Sequence, residues 1–350
     1  MKIASIVGAR PQFIKLAPLS KALAQLHDEI IIHTGQHYDD AMSNTIFSDL
    51  NIRKPDYNLN IGSGSHGQQT GLMLIEIEKI LMDLHVDLVI VFGDTNSTTA
   101  GALVAAKLQI PVVHIEAGLR SYNRTMPEEI NRIATDHIAN YLFAPTKNAE
   151  EILKNEGLAD KTYLTGDIMA DTITSNINIA KEKSDILNTL NLNNSDFYLV
   201  TLHRPYNVDE PESLQKIFDT LAELDDPVIF PVHPRTRNII NRNNLKAGTN
   251  TILTEPLGYL DFICLEHASK KILTDSGGIQ KEAYILKKPC ITFRPETEWV
   301  ETLRDGWNML LDPRNKESIE KIIGFKPSQS QSGVFGTNVT EKMLKVINSI

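Results

Sequence analysis

Short apolar runs alternate with longer amphipathic stretches from the first residues of this chain, and that alternation is what most limits its fold. The runs at 3–7, 29–33, 86–92 and 111–115 have the length and β-branched content of buried strands. Between them, 13–26, 69–84 and 98–108 carry helical patterns. Apolar strands that each lead into a helix predict a parallel, doubly wound α/β sheet. The pattern restarts after Gly166-Asp167, with strands at 197–202, 228–232, 251–253 and 271–274 and helices at 211–224 and 278–286. The prediction is therefore two Rossmann-like domains, 1–167 and 168–335, meeting at a cleft. A Pro/Ser/Gln-rich stretch at 326–333 reads as a linker. A final helix within 336–350 is expected to pack back on the first domain.

Composition narrows the function. The chain has 350 residues, enough for two cores, and a formal charge of -9 with no Lys/Arg block, which argues against nucleic-acid binding. No segment approaches the ~20 apolar residues needed to span a bilayer. The first residues read as a strand, not a signal peptide. Cys264 and Cys290 have no metal-type spacing and read as reduced thiols of a cytoplasmic protein. The turn from the first strand into the first helix carries no GxGxxG, and the chain has no HExxH, DxD or cysteine cluster, so neither a nicotinamide cofactor nor a metal is expected.

The segments that carry chemistry fall at strand ends. His114-Ile115-Glu116-Ala117-Gly118-Leu119-Arg120 closes one strand, and Pro127-Glu128-Glu129 opens a helix, with proline at the favoured first position. Ile130, Ile133, Ala134, Ile138 and Tyr141 are spaced as the apolar face of that helix. Asp94 ends the strand 86–92, either as an acid/base group or as the cap of the next helix. With Glu116 and Glu128 it makes three carboxylates at one domain's ligand edge. Arg132 is counted with the substrate-binding residues, with a pair to Glu128 at i, i+4 as the plain alternative.

A second set suits an anion. Gly8-Ala9-Arg10-Pro11-Gln12 leaves the first strand, and Arg10 with Lys15 offers cations at a helix start. Thr274-Asp275-Ser276-Gly277-Gly278 opens a helix, either as a phosphate loop or as an ordinary strand-to-helix turn. His203-Arg204 and His233 sit at strand C-terminal ends, where open α/β sheets bind ligands.

These segments, joined by Gly93-Asp94-Thr95, Thr165-Gly166-Asp167-Ile168-Met169, Thr201-Leu202-His203-Arg204, Val232-His233-Pro234 and 273–282, resemble the non-hydrolysing UDP-N-acetylglucosamine 2-epimerase family along nearly the whole chain. The resemblance implies a fold like the B-type glycosyltransferases (GT-B-like) and an isomerase interconverting UDP-GlcNAc and UDP-ManNAc for glycan precursor synthesis. No cofactor is implied. It assigns catalysis to Asp94, Glu116, Glu128 and His203. UDP binding falls to Arg10, His233, Ser276, Gly277, Gly278 and Glu282, the last on the ribose, and Lys15 matches a basic active-site position. It also suggests a homodimer.

The chain departs from the family at three places. Gln12 stands where the family often has glutamate. His66-Gly67-Gln68-Gln69 lacks the arginine of a second, activating substrate site, although Gln36 and His37 remain. The run 294–301, Arg-Pro-Glu-Thr-Glu-Trp-Val-Glu, is similar to the branch that includes epimerases of 2,3-diacetamido uronic acid sugars.

Overall fold

The computed structural model describes residues 1–36, 50, 52–193, 195–315, 317–327 and 330–350. They form two compact units, Met1–Thr172 with Gly333–Ile350, and Ile173–Ser332. His37 lies outside the described residues.

The first unit is built on β1 (Lys2–Val7), β2 (Asp28–His33), β3 (Tyr57–Asn58), β4 (Leu88–Phe92), β5 (Val112–Ile115), β6 (Tyr141–Ala144) and β7 (Thr162–Leu164). Its seven strands are parallel in the order β3-β2-β1-β4-β5-β6-β7. All of β4 and β5 is buried, because helices cover both faces of a parallel sheet. The order reverses between β1 and β4, so their C-terminal ends border the crevice where such sheets bind ligands. The helices that matter are α1 (Arg10–Leu23), α2 (His66–Leu84), α3 (Asn96–Lys107) and α4 (Pro127–Ile138). α2 packs on α3 and α3 on α4, while the last helix, Val339–Ile347, lies against α1.

Two expectations for α4 are corrected. The helix stops at Ile138, Ala139 turns extended, and Tyr141 opens β6 instead of extending the helical stripe. Asn140 fixes that break, its Oδ1 accepting from Val112 N–H at 2.9 Å. The stripe itself is also turned. Ile130 is exposed, and the fully buried positions are polar: Glu129, Arg132, Thr135 and Asp136. Burying that face requires charge pairs, and these surround the site below.

The second unit repeats the plan with β8 (Tyr198–Thr201), β9 (Val228–Pro231), β10 (Thr251–Thr254), β11 (Lys271–Thr274), β12 (Cys290–Thr292) and β13 (Asn308–Leu310). Its six strands are parallel in the order β10-β9-β8-β11-β12-β13, so the switch falls between β8 and β11. Phe218, Phe230, Tyr198 and Leu214 centre its core. Both cysteines are buried, and burial pushes the Cys290 thiol up to about 12, the behaviour of a packing residue. Among the described residues, no helix is long and apolar enough to cross a membrane.

Candidate active site

In the first unit, the loops after β1 and β4 are tied together by one buried amide. Gln12 Oε1 accepts from the N–H groups of Gly8 (2.7 Å) and Ala9 (3.0 Å). Its Nε2 donates to the Phe92 carbonyl at 2.7 Å and lies 3.0 Å from the hydroxyls of Thr95 and Thr98. A carboxylate cannot donate to Phe92, so the departure from the family pattern at this position has a structural use here. Gly8 is required by close packing: a Cβ would stand 2.1 Å from Thr34 Oγ1 and 2.2 Å from Ser97 Oγ.

Asp94 and Glu116 come together around Gly93. Asp94 is not the cap of α3; Thr95 is, its hydroxyl accepting from Thr98 N–H. The Asp94 carboxylate instead takes Arg132 through Nε (2.9 Å) and Nη2 (2.7 Å), and its carbonyl accepts from Asn131 at 2.9 Å. Arg132 Nη1 reaches Glu129 at 2.9 Å, so the arginine placed in the binding set stands between two carboxylates. Glu116 forms an ion pair with Lys15, each about a tenth exposed. Gly93 lies between the two groups: a Cβ there would meet Glu116 Oε2 at 3.2 Å and Lys15 Nζ at 3.3 Å. Glu116 itself has φ +71°, a backbone strain of about 1–3 kcal/mol for a non-glycine residue.

Glu128 is exposed in the first turn of α4. Its neighbour Glu129 is buried, accepting from the N–H groups of Ser121 and Tyr122 at 2.9 Å each. Burial raises the Glu129 carboxyl, but those bonds and Arg132 bring it below the ordinary range. Two further residues of the departures support the first turn of α3: Gln36 Oε1 accepts from Ser97 N–H at 3.0 Å, and Gln69 Oε1 from Asn96 at 2.8 Å.

The residue that sequence reasoning missed is Asp136. It is fully buried and gathers three members of the 114–120 segment: His114 Nδ1 (2.7 Å), Gly118 N–H (3.1 Å) and Arg120 Nη1 (2.7 Å). The strained Glu116 lies inside that grip. A buried carboxylate 22 residues from its histidine leaves no spacing signal; an aspartate on the wrong side of an apolar helical stripe was the available hint.

In the second unit, Asp275 organises the loop after β8. It accepts from the N–H groups of His203 (3.0 and 3.2 Å) and Arg204 (3.0 Å), from Asn207 Nδ2 (2.9 Å), and faces His203 Nδ1 at 3.0 Å. Burial raises its carboxyl, and these partners, His203 foremost, pull it below the usual range. The His203 side chain is half exposed. His233 caps the helix Pro234–Arg242, Nδ1 accepting from Arg235 N–H at 3.2 Å.

Ser276 sits at the N-cap of the helix Gly277–Ile285 without a side-chain capping bond. Its two glycines differ. Around Gly278 a Cβ would meet only Ser276 Oγ, at 3.8 Å. At Gly277 it would stand 2.1 Å from Glu298 Oε1, so the glycine admits a carboxylate of the chain itself. Glu298 is held by Arg294 at 2.9 Å, and Lys281 lies 4.4 Å from the Trp299 ring centroid. Glu282 is buried on the same helix.

Two doubly wound parallel domains in one chain place the protein in the GT-B-like class of α/β enzymes. The sequence model of UDP-N-acetylglucosamine 2-epimerase matches residues 21–341, and the chain belongs to that family of isomerases. It is 51% identical to a UDP-N-acetylglucosamine 2-epimerase homolog of Methanococcus maripaludis over 100% of both chains. It is 48% identical to the UDP-2,3-diacetamido-2,3-dideoxy-D-glucuronate 2-epimerase of Pseudomonas aeruginosa, over 89% of this chain and 88% of the other. The crystal structure of the Methanocaldococcus jannaschii UDP-GlcNAc 2-epimerase in complex with UDP-GlcNAc and UDP is similar over 100% of both chains, with a TM-score of 0.91 and 44% identity.

Proposed function

We propose that the protein interconverts UDP-N-acetylglucosamine and UDP-N-acetylmannosamine without net hydrolysis. The observation that carries this is the pairing of Asp94 with Arg132 and of Glu116 with Lys15, the first at the residue after Gly93 and the second against Gly93 itself. The C2 hydrogen of the sugar is not next to a carbonyl, so a carboxylate cannot remove it directly. Breaking the C1–O bond sends its electron pair onto UDP and leaves oxocarbenium character at C1, which acidifies that hydrogen. Its loss to a carboxylate gives 2-acetamidoglucal. A proton then adds to C2 from the opposite face, the diphosphate oxygen returns to C1, and C2 is inverted.

In this reading Asp94, Glu116 and Glu128 serve as base, acid and cation stabiliser. His203 and Arg10 with the 276–278 loop hold the leaving diphosphate. Lys15, Arg132 and His233 complete binding, with Glu282 on the ribose. The setting is the cytoplasm, where nucleotide sugars are made for surface polysaccharides. The working form is a homodimer, supported by outward apolar residues at helical spacing: Leu72, Ile75 and Met82 on α2, and Ile130 on α4. Leu72→Glu with Ile75→Glu should halve the mass measured by light scattering.

Proton NMR in D2O with UDP-GlcNAc tests the reaction. The manno epimer bearing deuterium at C2, with no free sugar, is the expected product. Accumulation of free N-acetylmannosamine with UDP would make the enzyme hydrolysing instead. A second substrate, the 2,3-diacetamido glucuronate, is favoured by the relative from Pseudomonas aeruginosa and by the 294–301 run. Exchange on that sugar alone would select it.

A further inference from the structure

Three consecutive carbonyls at the end of β4 are each held by a side chain from a different element. Phe92 is held by Gln12 of α1 at 2.7 Å, Gly93 by His114 of β5 at 2.7 Å, and Asp94 by Asn131 of α4 at 2.9 Å. The middle one differs, because His114 has a buried carboxylate as its second partner. Its Nε2 faces the Gly93 carbonyl, while its Nδ1 faces Asp136 Oδ1 at 2.7 Å. Histidine and carboxylate are both fully buried.

The charge state of Asp136 decides what the ring must be. Asp136 accepts from Arg120 Nη1 at 2.7 Å and from the Gly118 N–H at 3.1 Å, donors that favour the ionised form. Burial alone would push the carboxyl up, but its hydrogen-bond partners and the Arg120 charge bring it below the ordinary range. An ionised carboxylate only accepts, and so does a peptide carbonyl. A ring that satisfies both donates from both nitrogens. The remaining charged groups near it are Arg120 on Asp136, Glu156 on Arg120, Lys161 on the carbonyl of Asp136, and the Lys15–Glu116 pair beside Gly93.

We infer that His114 is a positioning residue that acts as a doubly protonated link from Asp136 to the Gly93 carbonyl, setting the spacing of Asp94 and Glu116. The Gly93 peptide leads directly into Asp94, and a Cβ on Gly93 would meet Glu116 Oε2 at 3.2 Å and Lys15 Nζ at 3.3 Å. Gly93 has φ +64°, so the orientation of its carbonyl is a choice that something must hold. On the other side, Asp136 also fixes Gly118 and Arg120, which follow the strained Glu116 and hold its loop. One buried carboxylate therefore sets both acidic groups, and His114 carries its grip to the first of them.

The kinetic arm of the test rests on the epimerase reading; the spectroscopic arm does not. In protein labelled with 15N-histidine, one of the ten histidines should show hydrogen on both ring nitrogens at pH 7, and that pattern should vanish in His114→Gln. A neutral, single-hydrogen pattern for that residue would overturn the proposal even if the enzyme is active. In steady-state assays, His114→Asn keeps a donor toward Asp136 but cannot reach Gly93. It should lower kcat about tenfold or more with KM little changed, the cost expected of a slightly misplaced catalytic group. His114→Gln places its amide near the site of Nε2 and should recover part of that loss. Wild-type kcat in the Asn variant, or equal loss in both variants alongside equal loss of Tm, would reduce His114 to a packing residue. If neither variant folds, the wild-type spectrum decides. An inactive wild-type protein would defeat the proposed reaction, while the spectrum would still decide the protonation of His114.

Discussion

At the switch point of the first unit, each carboxylate is answered by a side-chain cation: Arg132 for Asp94, Lys15 for Glu116. At the switch point of the second, the buried Asp275 collects backbone N–H groups, and the loop it shapes presents the half-exposed His203. A helix N-terminus opens beside it at Ser276. The two sheets share a strand plan, so topology does not explain the difference. What differs is the company of the acid: one side-chain cation for each of the partly buried Asp94 and Glu116, and backbone N–H groups with His203 and Asn207 for the fully buried Asp275. In the proposed reaction the cation-paired carboxylates are the ones that move protons, while Asp275 acts as the scaffold of a loop that meets the diphosphate. The proposed function thus uses one kind of crevice for acid/base work in the first unit and for phosphate binding in the second.

The largest effect should come from the first unit. Glu116→Gln or Asp94→Asn removes a proton acceptor while keeping its shape, and kcat should fall by about 10²–10⁴. UDP affinity by calorimetry should stay within a few fold. A variant that loses UDP binding as well as turnover would erase the proposed division between the units.

Asp275→Asn tests the scaffold. The amide presents a donor to N–H groups that need an acceptor, so the second unit should lose about 1–3 kcal/mol of stability at pH 7, with weaker UDP binding. The pH dependence has a definite sign. Asp275 is held below the ordinary carboxylate value, so its contribution is fully present above about pH 4 and is lost as pH falls through its folded value. Urea unfolding of wild type and variant should therefore differ at pH 7 and converge in acid. A constant gap would assign the loss to packing.

Within both units the elements were unequally legible from sequence. The apolar runs that became β1, β2, β4, β5 and β8–β11 carry their own signal, and so does Pro127 at the start of α4, whereas the cap of α3 was sought at Asp94 and is made by Thr95. Of the strands that went unread, β3, β7, β12 and β13 are two or three residues long, too short for a period to emerge, and β6 was absorbed into the helical stripe through Tyr141. Tyr141 misled because it continues a helical spacing by coincidence. The carboxylates were visible because they end strands. The links across the site were not: Arg132 stood in the binding set, but its bond to Asp94 spans 38 residues, and those of Asp136 to His114 and of Gln12 to Phe92 span 22 and 80.

Gln12→Glu examines the amide that joins the two loops of the first unit. A carboxylate at that place would face the Phe92 carbonyl at 2.7 Å, tolerable only when protonated. The variant's folded carboxyl is thus raised, and it should match wild type in acid while losing about 1–3 kcal/mol toward neutral pH. A pH-independent stability would show that the loops relax apart and that the amide is not a tie.

Gly277→Ala carries the smallest expected effect and separates two reasons for a glycine at the head of the helix Gly277–Ile285. A Cβ there meets Glu298, whose carboxylate is restrained by Arg294, so overpacking should cost about 1 kcal/mol. The backbone N–H that an anion would use is kept by alanine. In a Glu298→Ala background the stability penalty of Gly277→Ala should therefore disappear, and UDP affinity should match that of Glu298→Ala alone. If the affinity loss persists without Glu298, the glycine is needed by the ligand's own approach. The second switch point would then owe its anion site to bare backbone, and the contrast with the cation-paired carboxylates of the first would be sharper still.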